Sequence, residues 1–216
     1  MGTWLVIDDH PAICFAIKAI LTPLGDNTII SASDGISALA QIKEKQPQLI
    51  ILDIMLNKMD GLQILQHLEQ LEIPSKVIIY TSLPAETYAE RAWRAGACGF
   101  FGKDQDISQL ALICQLVLQN YHCFPDAITK SLLRPSAPNE HDKGALTKLS
   151  DRELTVLRYL SDGLSNKEIA DRLILSNKTI STYKSRLMEK LQLSKPEDLV
   201  NFLDHQDTQE HSHEVQ

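Results

Sequence analysis

Short apolar runs alternate with amphipathic stretches along the first half of the chain. Five of these runs are apolar enough to form buried strands, and they cover 3–7, 28–32, 49–54, 76–82 and 97–102. Between them, apolar residues recur three and four positions apart, which is the spacing of an amphipathic helix. Five repeats of strand and helix predict a doubly wound, five-stranded parallel sheet with helices on both faces. Ligands bind such sheets at the carboxyl ends of the strands, where the strand order reverses.

The pattern changes in the last third of the chain, where 147–204 is helical throughout. Ser150 followed by Glu153 forms a capping box, Gly163 is a helix stop, and Ser176 or Asn177 is a further N-cap. We therefore expect a small all-α domain at 147–204 after an α/β domain at 1–125.

Two segments carry no such pattern. We expect a linker at 126–146, because its stretch 134–145 is polar, contains proline and shows no periodicity. The polar residues 205–216 are expected to form a disordered tail.

Charge is distributed unevenly over the chain. The net charge is −7, yet Ser176 to Lys195 holds five basic residues and one acidic residue. An acidic protein with one basic, helix-sized segment favours a local contact with nucleic acid. Charge alone is equally consistent with a solvated helix face in an unrelated bundle.

Neither membrane insertion nor secretion is indicated. No apolar run approaches the roughly 20 residues that a transmembrane helix needs, and the N-terminus lacks the basic region of a signal peptide. The four cysteines form no CxxC pair, which is typical of reduced thiols in a cytoplasmic protein without a membrane partner.

Asp53 is the one acid in the apolar run that forms the third predicted strand. The first strand ends in Asp8 and Asp9, so three carboxylates converge at one edge of the sheet. They would repel one another unless a cation intervened, and Mg²⁺ suits such oxygen ligands. Thr81 and Lys103 end two further strands and add a hydroxyl and an ammonium. Together these groups predict a phosphoryl-acceptor site.

This set resembles the receiver domain of two-component response regulators, a flavodoxin-like fold, and DIMLNKMDG at 53–61 resembles the family's stretch after its phosphorylated aspartate. The resemblance implies that Asp53 accepts the phosphoryl group and that Thr81 and Lys103 bind its oxygens. It also implies that Mg²⁺ is held by Asp8 or Asp9, by Asp53 and by the Met55 carbonyl. Thr81 and Phe100 would be the switch residues.

The receiver resemblance further implies a sensor histidine kinase or phosphotransfer domain as partner. It implies no enzyme activity beyond the protein's own aspartyl phosphorylation and dephosphorylation. A P-loop nucleotide hydrolase is the rival, but its motif fails because Ala97 replaces the first glycine and Asp104 the required Ser or Thr.

The basic segment predicts a helix with two unlike stripes. Ile180, Leu187 and Leu191 form an apolar stripe, whereas the opposite one is polar. Short hydroxyls bordered by bases suit a recognition helix in the major groove of DNA. The candidate DNA contacts are Lys178, Thr179, Ser181, Thr182, Lys184, Ser185 and Arg186.

Residues 147–204 resemble the helix-turn-helix DNA-binding domain of NarL/LuxR-type regulators, through LSDRE, GLSNKEIADRL and SNKTISTYKSRLMEKL. In that family the helix after the recognition helix, here near Pro196–Leu203, tends to dimerise. The expected function is a transcriptional response regulator that binds duplex DNA as a homodimer once Asp53 is phosphorylated. The alternative is an interaction protein whose helical domain binds protein or RNA.

Overall fold

The computed structural model of the chain describes residues 2–133, 145–200 and 202–203. It divides into two compact units, Met1–Ala137 and Pro138–Gln216, and each is described by itself. Residues 134–144 of the expected linker and the expected tail at 205–216 lie outside the described residues.

The first unit alternates strands and helices. Its strands are β1 (Thr3–Ile7), β2 (Thr28–Ala32), β3 (Leu49–Leu52), β4 (Lys76–Thr81) and β5 (Gly99–Gly102). Its helices are α1 (Pro11–Leu21), α2 (Gly35–Lys45), α3 (Gly61–Gln70), α4 (Ala85–Arg94), α5 (Leu110–Leu118) and α6 (Asp126–Leu133), with 3-10 turns at Thr22–Leu24 and Ile107–Gln109.

All five strands form one parallel sheet in the order β2-β1-β3-β4-β5. The predicted doubly wound, flavodoxin-like fold is confirmed. The strand order reverses between β1 and β3, where Trp4 pairs with Leu49 and Ile7 with Leu52. The crevice outside the ends of these two strands is therefore the expected place for a ligand.

Burial explains why the central strands are almost purely apolar. Every residue of β3 is buried, because helices cover both faces of a parallel sheet. One face packs against α1 and α5 in a cluster built from Trp4, Val6, Ile17, Leu21, Ile29, Leu49, Ile51, Ile78, Tyr80, Phe101, Leu110, Cys114 and Val117.

Three strands are shorter than the apolar pattern indicated: β4 by one residue, and β3 and β5 by two residues each. β3 ends at Leu52 and not at residue 54, because the Ile54 carbonyl accepts turn hydrogen bonds from Leu56 and Gly61. β5 begins at Gly99 and not at residue 97, because the Ala97 amide closes the end of α4 on the Ala92 carbonyl. Local turns compete with the ladder at both places.

The first residues of the expected linker at 126–146 are not irregular, because residues 126–133 form helix α6. The Pro125 carbonyl accepts hydrogen bonds from the amides of Ile128 and Thr129 and so begins the helix. The Ile128 side chain is buried and α6 packs against α4. Tertiary burial decides this element, which is too short to be stable alone.

The second unit is all-α, as predicted. A 3-10 turn (Ala145–Lys148) leads to α7 (Asp151–Ser161), α8 (Asn166–Leu173) and α9 (Asn177–Lys190). Residues 197–200 and 202–203 are also helical. Its core is formed by Leu149, Leu154, Val156, Leu157, Ile169, Leu173, Ile180, Leu187 and Leu199.

The predicted helix boundaries in this unit are confirmed. Ser150 and Glu153 form a complete capping box on α7, and Gly163 adopts a φ of 80° just beyond the end of that helix. Ser176 caps α9 by accepting a hydrogen bond from the Thr179 amide at 3.0 Å. A second capping box, Ser165 with Glu168, begins α8.

Within the described part of the chain, no helix combines the length and apolarity needed to cross a bilayer.

Candidate functional site

Two carboxylates meet at the crevice between β1 and β3. Asp8 directly follows β1, and its amide continues the ladder by donating to the Ala32 carbonyl at 3.2 Å. Asp53 directly follows β3, and its amide donates to the Ile7 carbonyl at 2.9 Å. Both side chains are buried, that of Asp53 with 4% of its surface exposed. The strand pairing therefore forces two acids together in a poorly hydrated place.

Lys103 compensates both charges. Its Nζ lies 2.7 Å from Asp8 Oδ2 and 2.6 Å from Asp53 Oδ2. Its backbone amide donates to the Thr81 carbonyl at 2.8 Å, which fixes the base of the side chain at the end of β4. One ammonium thus bridges the ends of two strands while it is anchored to a third.

The protonation equilibria follow from this packing. Burial raises the pKa of Asp53, and the Lys103 ammonium opposes that rise. For Lys103, burial acts to lower the pKa, but Asp53 and Asp8 outweigh it and hold the pKa above its ordinary value. Lys103 is therefore firmly cationic, which favours an anionic Asp53 beside it.

Thr81 and Phe100 occupy the strands next to this centre. The buried Thr81 hydroxyl accepts a hydrogen bond from the Leu83 amide at 3.4 Å. Burial raises the pKa of Asp53, and this hydroxyl is among the nearby groups that act to lower it. Phe100 is already turned inwards, with 5% of its surface exposed. Both side chains therefore lie inside the domain, Thr81 at the end of β4 and Phe100 within β5.

The loop after Asp53 is held by close backbone contacts. The Met55 amide donates to Asp53 Oδ1 at 3.3 Å, and Asp60 caps α3 by accepting from the Gln63 amide at 3.0 Å. Any Cβ on Gly61 would collide with the Asp53 carbonyl oxygen. Glycine is therefore required where α3 begins against the end of β3.

The acidic residues offer oxygens that suit a divalent cation. Asp8 Oδ2 and Asp9 Oδ1 are buried without a well-aligned hydrogen bond, although Lys103 and His10 lie within ion-pair distance of them. Buried carboxylate oxygens in this condition favour a bound cation. Asp8, Asp9 and His10 bring side-chain ligand atoms within 4.8 Å of one another and could hold such a cation. That Asp53 and the Met55 carbonyl also bind Mg²⁺ stays a prediction.

Two neighbours of the acids were not identified from the sequence. His10 Nδ1 lies 2.8 Å from Asp9 Oδ1 and 3.2 Å from Asp8 Oδ1. Asn57 Nδ2 donates to Asp9 Oδ2 at 3.0 Å. The adjacency of His10 to the two acids was visible in the sequence, but the return of Asn57 to Asp9 depends on the loop path.

A second candidate site lies on α9 in the helical unit. Ile180 and Leu187 face the core, whereas five of the predicted DNA contacts are exposed: Lys178, Ser181, Thr182, Ser185 and Arg186. Thr179 and Lys184 are half-buried at the margins. Part of this face is concave, lined by Ser176, Lys178, Thr179, Thr182, Tyr183 and Arg186.

The hydroxyls of this stripe are held by their own helix. Ser181, Thr182 and Ser185 each donate to the carbonyl four residues earlier, at 3.1 to 3.2 Å. Their oxygens therefore face outwards as acceptors, and Asn166 Nδ2 of α8 already donates to Ser181 at 3.3 Å. Base-edge amino groups are matching donors in the major groove.

An ion pair joins helix α9 to α7, and its carboxylate is buried while the Lys190 side chain is 39% exposed. Lys190 Nζ lies 2.6 Å from Glu153 Oε2, and Glu153 also accepts from the Ser150 amide at 2.8 Å. Burial acts to raise the pKa of Glu153, but these hydrogen bonds outweigh it and lower the pKa. An electrostatic contact to the start of α7 therefore adds to the packing of Ile180 and Leu187 in holding α9.

Comparison with known proteins covers both units. Residues 4–115 match the response regulator receiver domain, and residues 147–203 match the luxR family of bacterial regulatory proteins. The chain is 38% identical to the transcription regulator BvgA of Bordetella pertussis over 197 residues, which cover 91% of this chain and 94% of BvgA. It is 31% identical to the DNA-binding transcriptional activator EvgA of Escherichia coli over 198 residues, 92% and 95% of the two chains.

A solved structure shares the fold over nearly the whole length. The RcsB response regulator of Salmonella typhimurium superposes with a TM-score of 0.72 at 21% identity, covering 94% of this chain and 97% of RcsB.

Proposed function

This chain belongs to the response regulators that join a receiver domain to a LuxR-type DNA-binding domain, and from that premise we propose that phosphorylation of Asp53 controls its binding to DNA. A sensor histidine kinase or phosphotransfer domain supplies the phosphoryl group. The observation that supports this proposal is the position of the Lys103 ammonium, which lies within ion-pair distance of both Asp8 and Asp53.

The chemistry follows from the groups at the crevice. An Asp53 oxygen attacks the phosphorus of the donor, the bond from phosphorus to the donor's leaving group breaks, and an acyl phosphate forms. In this proposal Lys103 and the Thr81 hydroxyl bind the transferred oxygens. The distance of 2.6 Å from Lys103 Nζ to Asp53 Oδ2 supports the role of Lys103, and the buried position of Thr81 at the end of β4 supports that of the hydroxyl. Mg²⁺, when bound, neutralises charge on those oxygens.

In this proposal the protein binds DNA through α9, whose exposed polar stripe fits a major groove. The described residues of one chain present one such helix, so we expect two chains to read a paired site, with half-sites about 10 base pairs apart. Val200 leaves 39% of its surface exposed on the helical stretch 197–200 and fits the expected dimer contact. We place the protein in the cytoplasm, where DNA and reduced thiols coexist.

The test is direct. Wild type, Asp53→Asn and Asp104→Asn are incubated with acetyl phosphate and Mg²⁺ and their intact masses are compared. Asp104 is an exposed acid beside Lys103 and serves as the matched control. We expect one phosphoryl group on wild type and on the control and none on Asp53→Asn. A phosphorylated Asp53→Asn protein overturns the assignment.

A further inference from the structure

A later part of the chain covers the edge of the sheet at β5. β5 is the last strand, and beyond α5 the chain returns along its outer side. The Cys123 amide donates to the Cys98 carbonyl at 3.0 Å, and the Phe100 amide donates to the Cys123 carbonyl at 2.8 Å. We call residues 121–125 the return segment. It pairs with β5 as a minimal additional parallel strand.

Side chains and a glycine fit the return segment to this edge. A Cβ on Gly99 would lie 3.2 Å from the Cys123 carbonyl oxygen, so the close approach relies on glycine. Trp93 of α4 lies between two rings of the segment, with centroids 4.8 Å from His122 and 5.0 Å from Phe124. The segment is thus held by the β5 backbone and by α4 together.

The return segment leads directly into α6. Pro125 begins that helix through its carbonyl, and α6 packs against α4 with Ile128 buried. Helix α6 is the last element described before residue 134. Any displacement of the return segment therefore acts on the start of α6.

The other end of β5 reaches the acidic crevice. Gly102 pairs with Thr81, and the next residue is Lys103, whose ammonium lies 2.6 Å from Asp53. Phe100, only three positions before Lys103, is bonded to Cys123. The short, buried strand β5 therefore pairs with the return segment near its start, and the residue directly after its end contacts Asp53.

We propose that the return segment transmits the state of Asp53 to α6. The inference rests on the proposed function, because it assumes that Asp53 receives a phosphoryl group. When it does, the ammonium of Lys103 must follow the new oxygens and leave the position it holds between two carboxylates. The resulting shift of β5 changes the two backbone hydrogen bonds at Cys123. Packed elements respond to such shifts by changing between discrete arrangements, and α6 is released from or tightened onto α4.

Hydrogen exchange of the full chain, with and without beryllium fluoride and Mg²⁺, tests the inference. Cys123→Pro removes the N–H that bonds to Cys98, whereas the matched Cys123→Ala keeps it. In wild type and Cys123→Ala we expect beryllium fluoride to change exchange in α6 by about fivefold or more, the low end of usual coupling. In Cys123→Pro the change in α6 should vanish while the change around Asp53 remains.

A second pair of variants tests the inference even if the proline variant does not fold. Phe124→Ala removes one ring from Trp93, and Tyr121→Ala alters the exposed neighbour within the same segment. The α6 response should weaken in the first and persist in the second. The inference is overturned if hydrogen exchange in α6 of the wild type does not change while exchange around Asp53 does. It is also overturned if exchange in α6 of Cys123→Pro responds as in wild type. Should the proline variant not fold, the same outcome in Phe124→Ala overturns it. A wild type without any response at Asp53 contradicts the proposed function instead.

Discussion

Lys103 Nζ lies 2.6 Å from Asp53 Oδ2 in a crevice where Asp53 is almost fully buried. Because the same ammonium also faces Asp8, its removal leaves two buried carboxylates without a counter-charge. Breaking a buried ion pair in this way typically costs about 3 to 5 kcal/mol. We expect Lys103→Met to lower the free energy of unfolding of the receiver by about 3 kcal/mol.

Urea denaturation followed by tryptophan fluorescence measures this loss, since both tryptophans, Trp4 and Trp93, lie in the first unit. Lys18→Met on the exposed surface of α1 is the control and should be neutral. Added Mg²⁺ should restore part of the stability of Lys103→Met by supplying a cation to the same oxygens. A loss no larger than that of the control contradicts the bridging role.

The phosphorylated state is expected to be long-lived. Hydrolysis needs a water in line with the phosphorus, opposite the Asp53 oxygen. The resemblance to receivers implies that the side chains two positions after Asp53 and two positions after Thr81 guide or block that water. Here they are Met55 and Leu83, which offer no group to orient it. Leu83 is buried while Met55 is half-exposed, so Met55 is the better placed to exclude water. We expect Met55→Asn with Leu83→Glu to speed phosphate loss about tenfold or more, below the usual effect of a positioned acid or base.

Loss of radiolabel from phosphorylated protein gives the rate. The conservative Leu83→Met variant should decay like wild type. Equal lifetimes for wild type and the double variant would show that these side chains do not set the rate.

The recognition helix should separate anchoring from reading. Lys184 lies at the margin of the stripe and Ser185 within it. Lys184→Ala should weaken binding to all duplexes alike and lower the salt slope by about 1, because one phosphate contact is lost. Ser185→Ala should instead change the preferred sequence.

Binding to a randomised DNA pool and to one chosen duplex, each at several salt concentrations, measures both effects. An RNA duplex of the same sequence distinguishes the alternative partner, since its major groove is too narrow for side chains to read. The roles are reversed if Ser185→Ala weakens every duplex uniformly while Lys184→Ala acts on some sequences only.

Ile174 ends α8 in a strained conformation. Its φ of 52° and ψ of 49° are left-handed, which a β-branched residue adopts only at a cost. The side chain is 59% exposed, so little burial is lost when it is removed. Ile174→Gly should raise the free energy of unfolding of the helical unit by about 1 kcal/mol.

Denaturation followed by circular dichroism shows whether the free energy of unfolding of the helical unit rises in Ile174→Gly. Ile174→Ala keeps a Cβ in the left-handed region and should gain less than the glycine variant. A glycine variant less stable than wild type would indicate that the exposed Ile174 side chain contributes packing that outweighs its strain.

The Glu153–Lys190 pair should make the helical unit sensitive to acid. The pKa of Glu153 is lowered by folding, so the unfolded chain takes up the proton first as the pH falls. The stabilisation is present above the ordinary glutamate pKa near 4.5 and is lost as the pH falls from there through the lower folded value. Glu153→Gln keeps the shape and removes this dependence.

Urea titrations at pH 7 and at several values below 4.5 measure the effect. The variant should be less stable than wild type at pH 7, and the difference should shrink as the pH falls. Glu189→Gln on the exposed surface of α9 is the control. A difference that does not change with pH contradicts the electrostatic account.

The sequence by itself determined the five-stranded parallel sheet, the alternation of strands and helices along the chain, and the caps of helices in the second unit. These follow from local pattern: an all-apolar run such as Leu49–Leu52 suits a strand buried on both faces, and a serine three residues before a glutamate suits a helix start. It also determined which chemical groups follow the strands, because a parallel sheet brings its strand ends to one edge. The meeting of Asp53 with Lys103 was predictable for that reason, without knowledge of any distance.

Only the tertiary structure decided where local preferences competed. Nothing in the apolar pattern required 121–125 to return along β5 or α6 to form within the expected linker, because both depend on contacts with Trp93 and α4 that are remote along the chain. The contact of Asn57 with Asp9 likewise joins residues 48 positions apart. Such contacts are set by the path of whole loops, and a one-dimensional pattern of apolar and polar residues carries no information about that path.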